Sequence, residues 1–385
     1  MANPNPSKYP ALALLITILP LSLHKMVLTQ IQNGFQSLLH TTLASSSPLI
    51  PETTTPLRTW YTGFTAFDIL MTTSNFIFAH VGDGRVPALS VYMVQFAGQL
   101  VPWFAVLMVE GSRTSGSGRK RWWKSAVVWG GLVQMFGYGT LMPVYCILDL
   151  GFVDSRERGS LRRRERFGVA GMVGAAVVYV GLTVLGALPV ESARHQWLLA
   201  LWQEFPGYVV LGQIVAARVF GGGKGLSGEE PQKEKEKRDT ALITRVYKGA
   251  YILAAATQLA VYTTILASKT GFPILPSWMH DPEIGSFRSV FLPRPFSSPL
   301  TAKPRLALIT SDFFKWDQIL GSAGMLIWSI SLLRSAGYGE QGWGAWVRLA
   351  GRIGWWSVVA GPAGAAVQML RMREVWQRDQ EKKNA

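Results

Sequence analysis

The chain has 385 residues, is 49% hydrophobic, carries 15 Trp and has a formal net charge of +15. Length alone allows two soluble domains, but windows of about 20 nearly uncharged residues recur along the chain, the length one bilayer-crossing helix needs. The basic residues cluster between these windows, at 119–124, 156–166 and 233–238, as in membrane-flanking cytosolic loops, and no folded basic module for nucleic acid is visible.

The predicted class is therefore all-α, a polytopic bundle of eight or nine transmembrane helices forming one integral membrane domain over 1–385. Spans are expected near 9–28, 60–80, 88–109, 126–150, 168–189, 196–219, 247–268, 313–334 and 345–369. The first, interrupted by Pro20, His24 and Lys25, lacks a basic start and a small-residue cleavage site, so it reads as a membrane helix and not a removed signal peptide. Residues 42–56 are rich in Ser, Thr and Pro and read as a loop. Residues 221–239 combine glycines with alternating charge and no apolar period, predicting a mobile charged loop; 270–304 forms the longest connection. The basic loops near 120 and 160 are separated by one span, so the positive-inside bias leaves the orientation open. The single cysteine, Cys146, permits no intramolecular disulfide and no paired-thiolate metal site.

Ionisable groups at membrane depth cost several kcal/mol, so each needs a reason. In the second span, Tyr61, Phe64, Thr65, Asp68, Thr72 and Asn75 fall on one helical stripe. In the third, Tyr92, Gln95, Gln99, Trp103 and Glu110 form another; in the fourth, Gln134 and Tyr138 are one turn apart. Amides at such positions serve equally to bond neighbouring helices, Glu110 can face water at a span end, and Asp149 can cap its own span. In W-Q-E-F-P (202–206), Pro206 leaves a carbonyl unpaired one turn back, opening the helix where Glu204 sits.

The stretch S-D-F-F-K-W-D (311–317) poses the same question at the mouth of an apolar run. Ser311 or Asp312 is expected to be the N-cap, with Lys315 at the interface. Asp317 lies one turn inside, on the face of Phe313 and Phe314 and nearly opposite Lys315. Desolvation beside those rings would keep it protonated; the alternative is a carboxylate snorkelling at a helix start.

Motifs for other chemistry are absent. There is no aspartate-rich diphosphate-ionising motif, no H-E-x-x-H, no G-x-S-x-G, no Walker or Rossmann fingerprint, and the five His are scattered. No metal or other cofactor is expected. Acids and aromatic rings in an apolar bundle suit proton-initiated chemistry on a greasy substrate: a buried acid protonates an epoxide or alkene, and Tyr, Trp and Phe faces stabilise the migrating cation.

A leucine-rich start ending K-M-x-L-T-Q (within 13–30), W-Y-T-G-F-T-A-F-D (60–68), W-Q-E-F-P (202–206) and F-F-K-W-D (313–317) resemble the fungal membrane-bound terpene cyclases of the ascofuranone type, with relatives in meroterpenoid and indole-diterpene pathways. The resemblance runs over nearly the whole chain. It implies cyclisation of an epoxidised, membrane-soluble isoprenoid in secondary metabolism, in the endoplasmic reticulum membrane, in association with upstream pathway enzymes. No catalytic residue is transferred from the family. Asp68, Glu204 and Asp317 are the candidate acids on their own surroundings, with Tyr61, Phe64, Asn75, Gln95, Gln99, Trp103, Phe313 and Phe314 as candidate substrate-binding groups. Two other classes stand beside this one: a proton-coupled transporter of a lipophilic metabolite, although no repeated halves are visible, and a non-catalytic membrane scaffold.

Overall fold

A computed structural model of the chain describes residues 8–82, 86–113, 124–152, 161, 169, 178–183, 185, 192–221, 232–270, 281–294, 305–338 and 342–383. The described residues form helices and no strand, with two isolated bridges, Leu49 to Pro56 and Arg113 to Leu161. The helices are α1 (Lys8–Gln32, passing through a π-helical turn at His24–Leu28), α2 (Phe35–Leu43), α3 (Thr65–Phe78), α4 (Pro87–Ser112), α5 (Ala126–Phe136), α6 (Tyr138–Phe152), α7 (Ser192–Gln203), α8 (Phe205–Gly221), α9 (Gln232–Thr270), α10 (Phe287–Phe291), α11 (Leu306–Ser335) and α12 (Trp343–Lys383).

Helix α4 is the axis of the bundle. It is surrounded by protein, its amides Gln95 and Gln99 bonded to neighbouring helices, and 89% of its most apolar window is buried. It packs against α5, α9, α10, α11 and α12; α11 packs in turn on α1, α6 and α12, while α3 lies on α7 and α8 on α5. The matching window of α9 is only 28% buried, and Ile252, Leu259 and Leu266 project outward. Such an apolar outer face suits lipid, since water would make it costly.

Among the described residues, three helices are long and apolar enough to cross a bilayer: α1, α4 and the Glu234–Thr270 part of α9. The pair Ala193–Gln203 and Phe205–Val219, bent by 52° at Glu204, raises this to four if it acts as one broken span. The described helices thus fall short of the eight or nine expected, for local reasons. The 60–80 segment yields only the 14-residue α3, about 21 Å long, because 60–64 are loop. The 126–150 segment is split by Gly137, whose φ of 82° ends α5 and starts α6. The 345–369 segment is interrupted at Gly361 (φ 70°) followed by Pro362. Most of 168–189 lies outside the described residues, as do the basic cluster at 119–123 and most of that at 156–166. Of the 221–239 segment expected to be a mobile loop, 232–239 is the helical start of α9 and 222–231 lies outside the described residues. Of 270–304, the described part includes the short α10.

Candidate active site

Each acid singled out above meets a different environment. Asp68 is in the first turn of α3, and its carboxylate folds back on the preceding loop. It accepts the Thr62 N–H at 2.8 Å, the Thr62 hydroxyl at 2.9 Å and the Gly63 N–H at 3.0 Å. Burial alone would push this carboxyl up, but these bonds outweigh it and hold Asp68 below the usual carboxylate range. It braces the W-Y-T-G-F turn as an ion. Glu204 sits at the break between α7 and α8, partly exposed, its carboxylate turned along α8 towards Gly207. No hydrogen bond joins any two of Asp68, Glu204 and Asp317.

Asp317 is 4% exposed, in the middle of α11. It accepts the Gly139 N–H at 2.7 Å, and the Tyr138 N–H also points at its carboxylate, so it stands at the start of α6 as a cap supplied by another helix. Two N–H donors against about four acceptor positions leave capacity for a proton. Lys315 does not neutralise it: that ammonium is buried and donates to the Ser289 carbonyl at 2.6 Å. Asp312 is not an N-cap. Helix α11 starts six residues earlier, at Leu306, and the Asp312 carboxylate accepts the Arg294 N–H at 3.0 Å and pairs with its guanidinium. Pairing with a residue distant in sequence is invisible to a cap rule based on local spacing.

Around Asp317 the aromatic rings form one connected set. Phe314, three residues before it, lies 4.7 Å from Phe78, 5.7 Å from Phe96 and 5.5 Å from Phe313 between ring centroids. Phe78 continues to Trp202 (5.5 Å), and Trp202 to Tyr179 and Phe205. Phe205 touches Phe104, then Trp103, then Tyr138, which stands at the Asp317 cap. Beside this chain of rings, Leu100, Phe104, Tyr179, Phe205 and Val209 line a small, half-open apolar pocket. Ring faces of this kind stabilise positive charge without supplying a nucleophile.

The remaining candidates separate by what their polar atoms already do. Gln99 is spent on the α12 break: its Nε2 donates to the Ala360 carbonyl at 2.8 Å and its Oε1 accepts the Ala363 N–H at 3.1 Å. It repairs the backbone around Gly361–Pro362, which gives it a structural role at that break. Phe64 is 70% exposed, outside the bundle. Tyr61 is buried, packs edge-on to Trp197 and accepts the Asn75 amide at 2.8 Å. Gln95 donates to Gln258 at 2.9 Å, and Gln258 continues to the Tyr262 hydroxyl. Trp103, Phe313 and Phe314 belong to the ring network.

Glu110 and Asp149 have partners that the sequence did not suggest. Glu110 is buried and paired with Arg113 and Arg373, each at 3.1 Å, and both arginines reach Glu374 at 2.8 Å. The Tyr247 hydroxyl completes the cluster. Two carboxylates and two guanidinium groups balance in charge and tie α4, α9 and α12 together. Asp149 pairs with Lys124 and accepts the Trp328 indole N–H at 2.9 Å, so it does not cap its own helix. Arg373 and Glu374 lie in R-M-R-E, which reads as a solvated tail in one dimension. Phe78, Phe96, Phe104, Tyr179 and Phe205 also escaped notice, because rings from four segments converge only on folding.

The chain is similar to the terpene cyclase penA of Penicillium crustosum, 24% identical over 390 residues that cover 92% of this chain and 93% of the relative. It is also similar to the terpene cyclase ascI of Acremonium egyptiacum (25% over 336 residues, covering 83% and 79%) and the terpene cyclase janA of Penicillium janthinellum (26% over 310 residues, covering 78% and 76%). No solved structure matches it. The family model described as the CtvD domain matches residues 11–379, almost the full length, and the chain belongs to the CtvD domain family.

Proposed function

We propose that this terpene cyclase acts on an epoxidised isoprenoid or meroterpenoid held within a multi-pass membrane protein of the endoplasmic reticulum, and that Asp317 starts the reaction as its general acid. The observation that carries this reading is a buried carboxyl group with unspent acceptor capacity, adjoining a continuous set of aromatic rings. Asp317 donates its proton to the epoxide oxygen, and the C–O bond to the more substituted carbon breaks. The electron pair stays on oxygen, which becomes a hydroxyl. The cation left on carbon is attacked by the π electrons of a neighbouring alkene, forming the ring bond. Phe314, Phe78, Phe96 and Trp202 offer their faces to the cation as it moves, and the apolar surroundings delay capture by water. Loss of a proton from the last cation ends the sequence, so the product is an isomer of the substrate.

Glu204, at the helix break, is the reserve candidate for the acid; Asp68 is a poor one, because its bonds favour the ion. The relatives named terpene cyclase favour this class over a proton-coupled transporter or a scaffold. The test is to supply the purified protein in detergent with a terminally epoxidised farnesyl phenol. A product of unchanged mass containing a new ring supports the reading. A product heavier by one water shows hydrolysis instead, and unchanged epoxide removes the proposed substrate class.

A further inference from the structure

The 126–150 segment starts and ends at the same end of the bundle. Helices α5 and α6 fold back on each other at Gly137. Trp129 meets Tyr145 with ring centroids 5.2 Å apart, and Lys124, just before α5, pairs with Asp149 near the end of α6. With 11 and 15 residues the two helices are about 16 and 22 Å long, and neither reaches across a hydrocarbon core of about 30 Å. The tip stops near the middle of α4, where Tyr138 packs on Trp103. There Asp317 receives the Gly139 N–H, so the bared start of α6 is satisfied by protein, as non-helical backbone at membrane depth requires.

Other element ends gather with Lys124 and Asp149. Gly111, at the end of α4, lies against the Lys124 backbone. Arg113 bridges to Leu161, whose N–H donates at 3.1 Å to Asp239 near the start of α9. Helix α8 arrives through Gln213, which donates to Ser112 at 3.1 Å, and α12 through Arg373 on Glu110. The exposed side chains here include Lys237, Arg238, Arg245, Lys248, Lys382 and Lys383, against the acids Glu234 and Glu381. At the opposite end, Tyr92 of α4 packs on Phe291, Arg294 pairs with Asp312 of α11, and Gly285 lies on Lys269 of α9. Among the described residues that end exposes Arg194, Lys269, Arg288 and Arg305 against Glu52 and Glu283.

The outer face of α9 changes character along its length. Arg245 and Lys248 are followed on the same face by Ile252, Leu259 and Leu266, all exposed. Cations at the bundle end and hydrocarbon beyond them match the order of headgroup and acyl chain. The sequence adds a second argument. The chain enters the hairpin from R-K-R (119–121) and leaves it towards R-R-R (162–164), directly after Leu161. A crossing at 126–150 would put these clusters on opposite sides of the membrane, against the positive-inside bias; a hairpin puts them on one side.

From these contacts we infer that 126–150 is a re-entrant hairpin, and that the end where it opens is the cytosolic face, seated on anionic phospholipid headgroups. The inference rests on the reading of the chain as a multi-pass membrane protein. It places Asp317 at the tip of the hairpin, about half-way across, reached from neither surface loop.

Cysteine mapping suits this chain, because its one cysteine, Cys146, is buried. Ser115→Cys, Arg158→Cys, Lys237→Cys, Lys382→Cys and Thr54→Cys are each made in the full chain. Sealed microsomes from an expressing fungal host are treated with a membrane-impermeant maleimide, intact and after permeabilisation, and labelling is scored against the same variant in detergent. Lys237, Lys382 and Thr54 are exposed, so each reacts from one side or the other. The first four variants should label in intact microsomes, and Thr54→Cys only after permeabilisation. Opposite outcomes for Ser115→Cys and Arg158→Cys make 126–150 a crossing and overturn the hairpin. Protection of Lys237→Cys with labelling of Thr54→Cys reverses the orientation and overturns the cytosolic face. If alkaline carbonate strips the protein from the microsomes, the membrane reading itself fails instead. The lipid partner is tested with purified protein in nanodiscs of phosphatidylcholine, with and without phosphatidylserine. Phosphatidylserine should raise the melting temperature by a few degrees, and the gain should shrink at high salt and in the double variant Arg245→Gln, Lys248→Gln. Equal melting of wild type in the two kinds of disc overturns the headgroup contact.

Discussion

Replacing Asp317 by Asn changes one group and leaves most of its surroundings in place. On the proposed mechanism the carboxylate serves two purposes, and the substitution separates them. As a cap for α6 it accepts the Gly139 N–H at 2.7 Å through Oδ1, and an amide oxygen at the same position accepts the same bond. Asn caps helices about as well as Asp, so folding stability should change by less than about 1 kcal/mol. As a proton donor to an epoxide, however, an amide is useless. General acids contribute about 10²–10⁴ in rate, which at roughly 1.4 kcal/mol per decade is about 3–5 kcal/mol of transition-state stabilisation. Asp317→Asn should therefore form cyclised product at least about 100-fold more slowly while melting near the wild-type temperature. Asp317→Ala should lose both properties, with about 1–2 kcal/mol of stability gone with the cap. The assay is product formed per unit of membrane-inserted protein, by mass spectrometry, beside thermal melting in detergent. Near-normal turnover by Asp317→Asn would place the acid elsewhere, with Glu204 next. Equal losses of rate and stability in the Asn variant would mean that the residue only holds the fold.

Asp312→Asn should leave turnover within about two-fold and lower stability by no more than about 1 kcal/mol, since the Arg294 pair it weakens is partly exposed; melting and product assays on one preparation check both. Gln99→Leu should cost about 2–4 kcal/mol, because it strands the Ala360 carbonyl and the Ala363 N–H at the α12 break, and the loss should appear as a lower denaturant midpoint with KM unchanged in the protein that remains folded. Asp68 provides a pH test. Its folded pKa lies below the unfolded value, so its contribution to stability is complete above about pH 4 and disappears as pH falls through the folded value. Asp68→Asn should flatten the acid limb of the stability curve, and a variant as acid-sensitive as wild type would show that the turn at 61–63 is not held by that charge.

Much of the helical architecture was legible because composition and helix period are local properties. Helix α4 shows this best: its apolar run and its polar stripe of Tyr92, Gln95 and Gln99 are both found buried. Span boundaries were less legible, because a hydropathy window averages over single residues that reverse the chain. Gly137 sits within an apolar stretch that reads as one helix, and its positive φ makes two. Gly361 does the same in α12, although there the following proline gave a signal. The 60–68 stretch reads as helix by its stripe, yet Asp68 bonds backward to Thr62 and Gly63 and turns the stripe's first half into a capped loop. A short polar side chain competing for backbone N–H groups is the physical cause.

For the site, residue type and depth identified which side chains are costly, but not which of them had already been compensated. That depends on partners far apart in the chain. Glu110 finds Arg373, more than 260 residues away, and Gln99 finds the α12 break at a similar distance. Those bonds give both residues a structural role, however suggestive they look on a helical wheel. Asp317 also has a distant partner, the start of α6, but the bonds it makes there do not saturate it. The buried polar groups thus divide in two. The charged cluster of Glu110, Arg113, Arg373 and Glu374 closes on itself and clamps three helices. Asp317 keeps acceptor capacity beside the aromatic rings, where the proposed mechanism puts its proton donor.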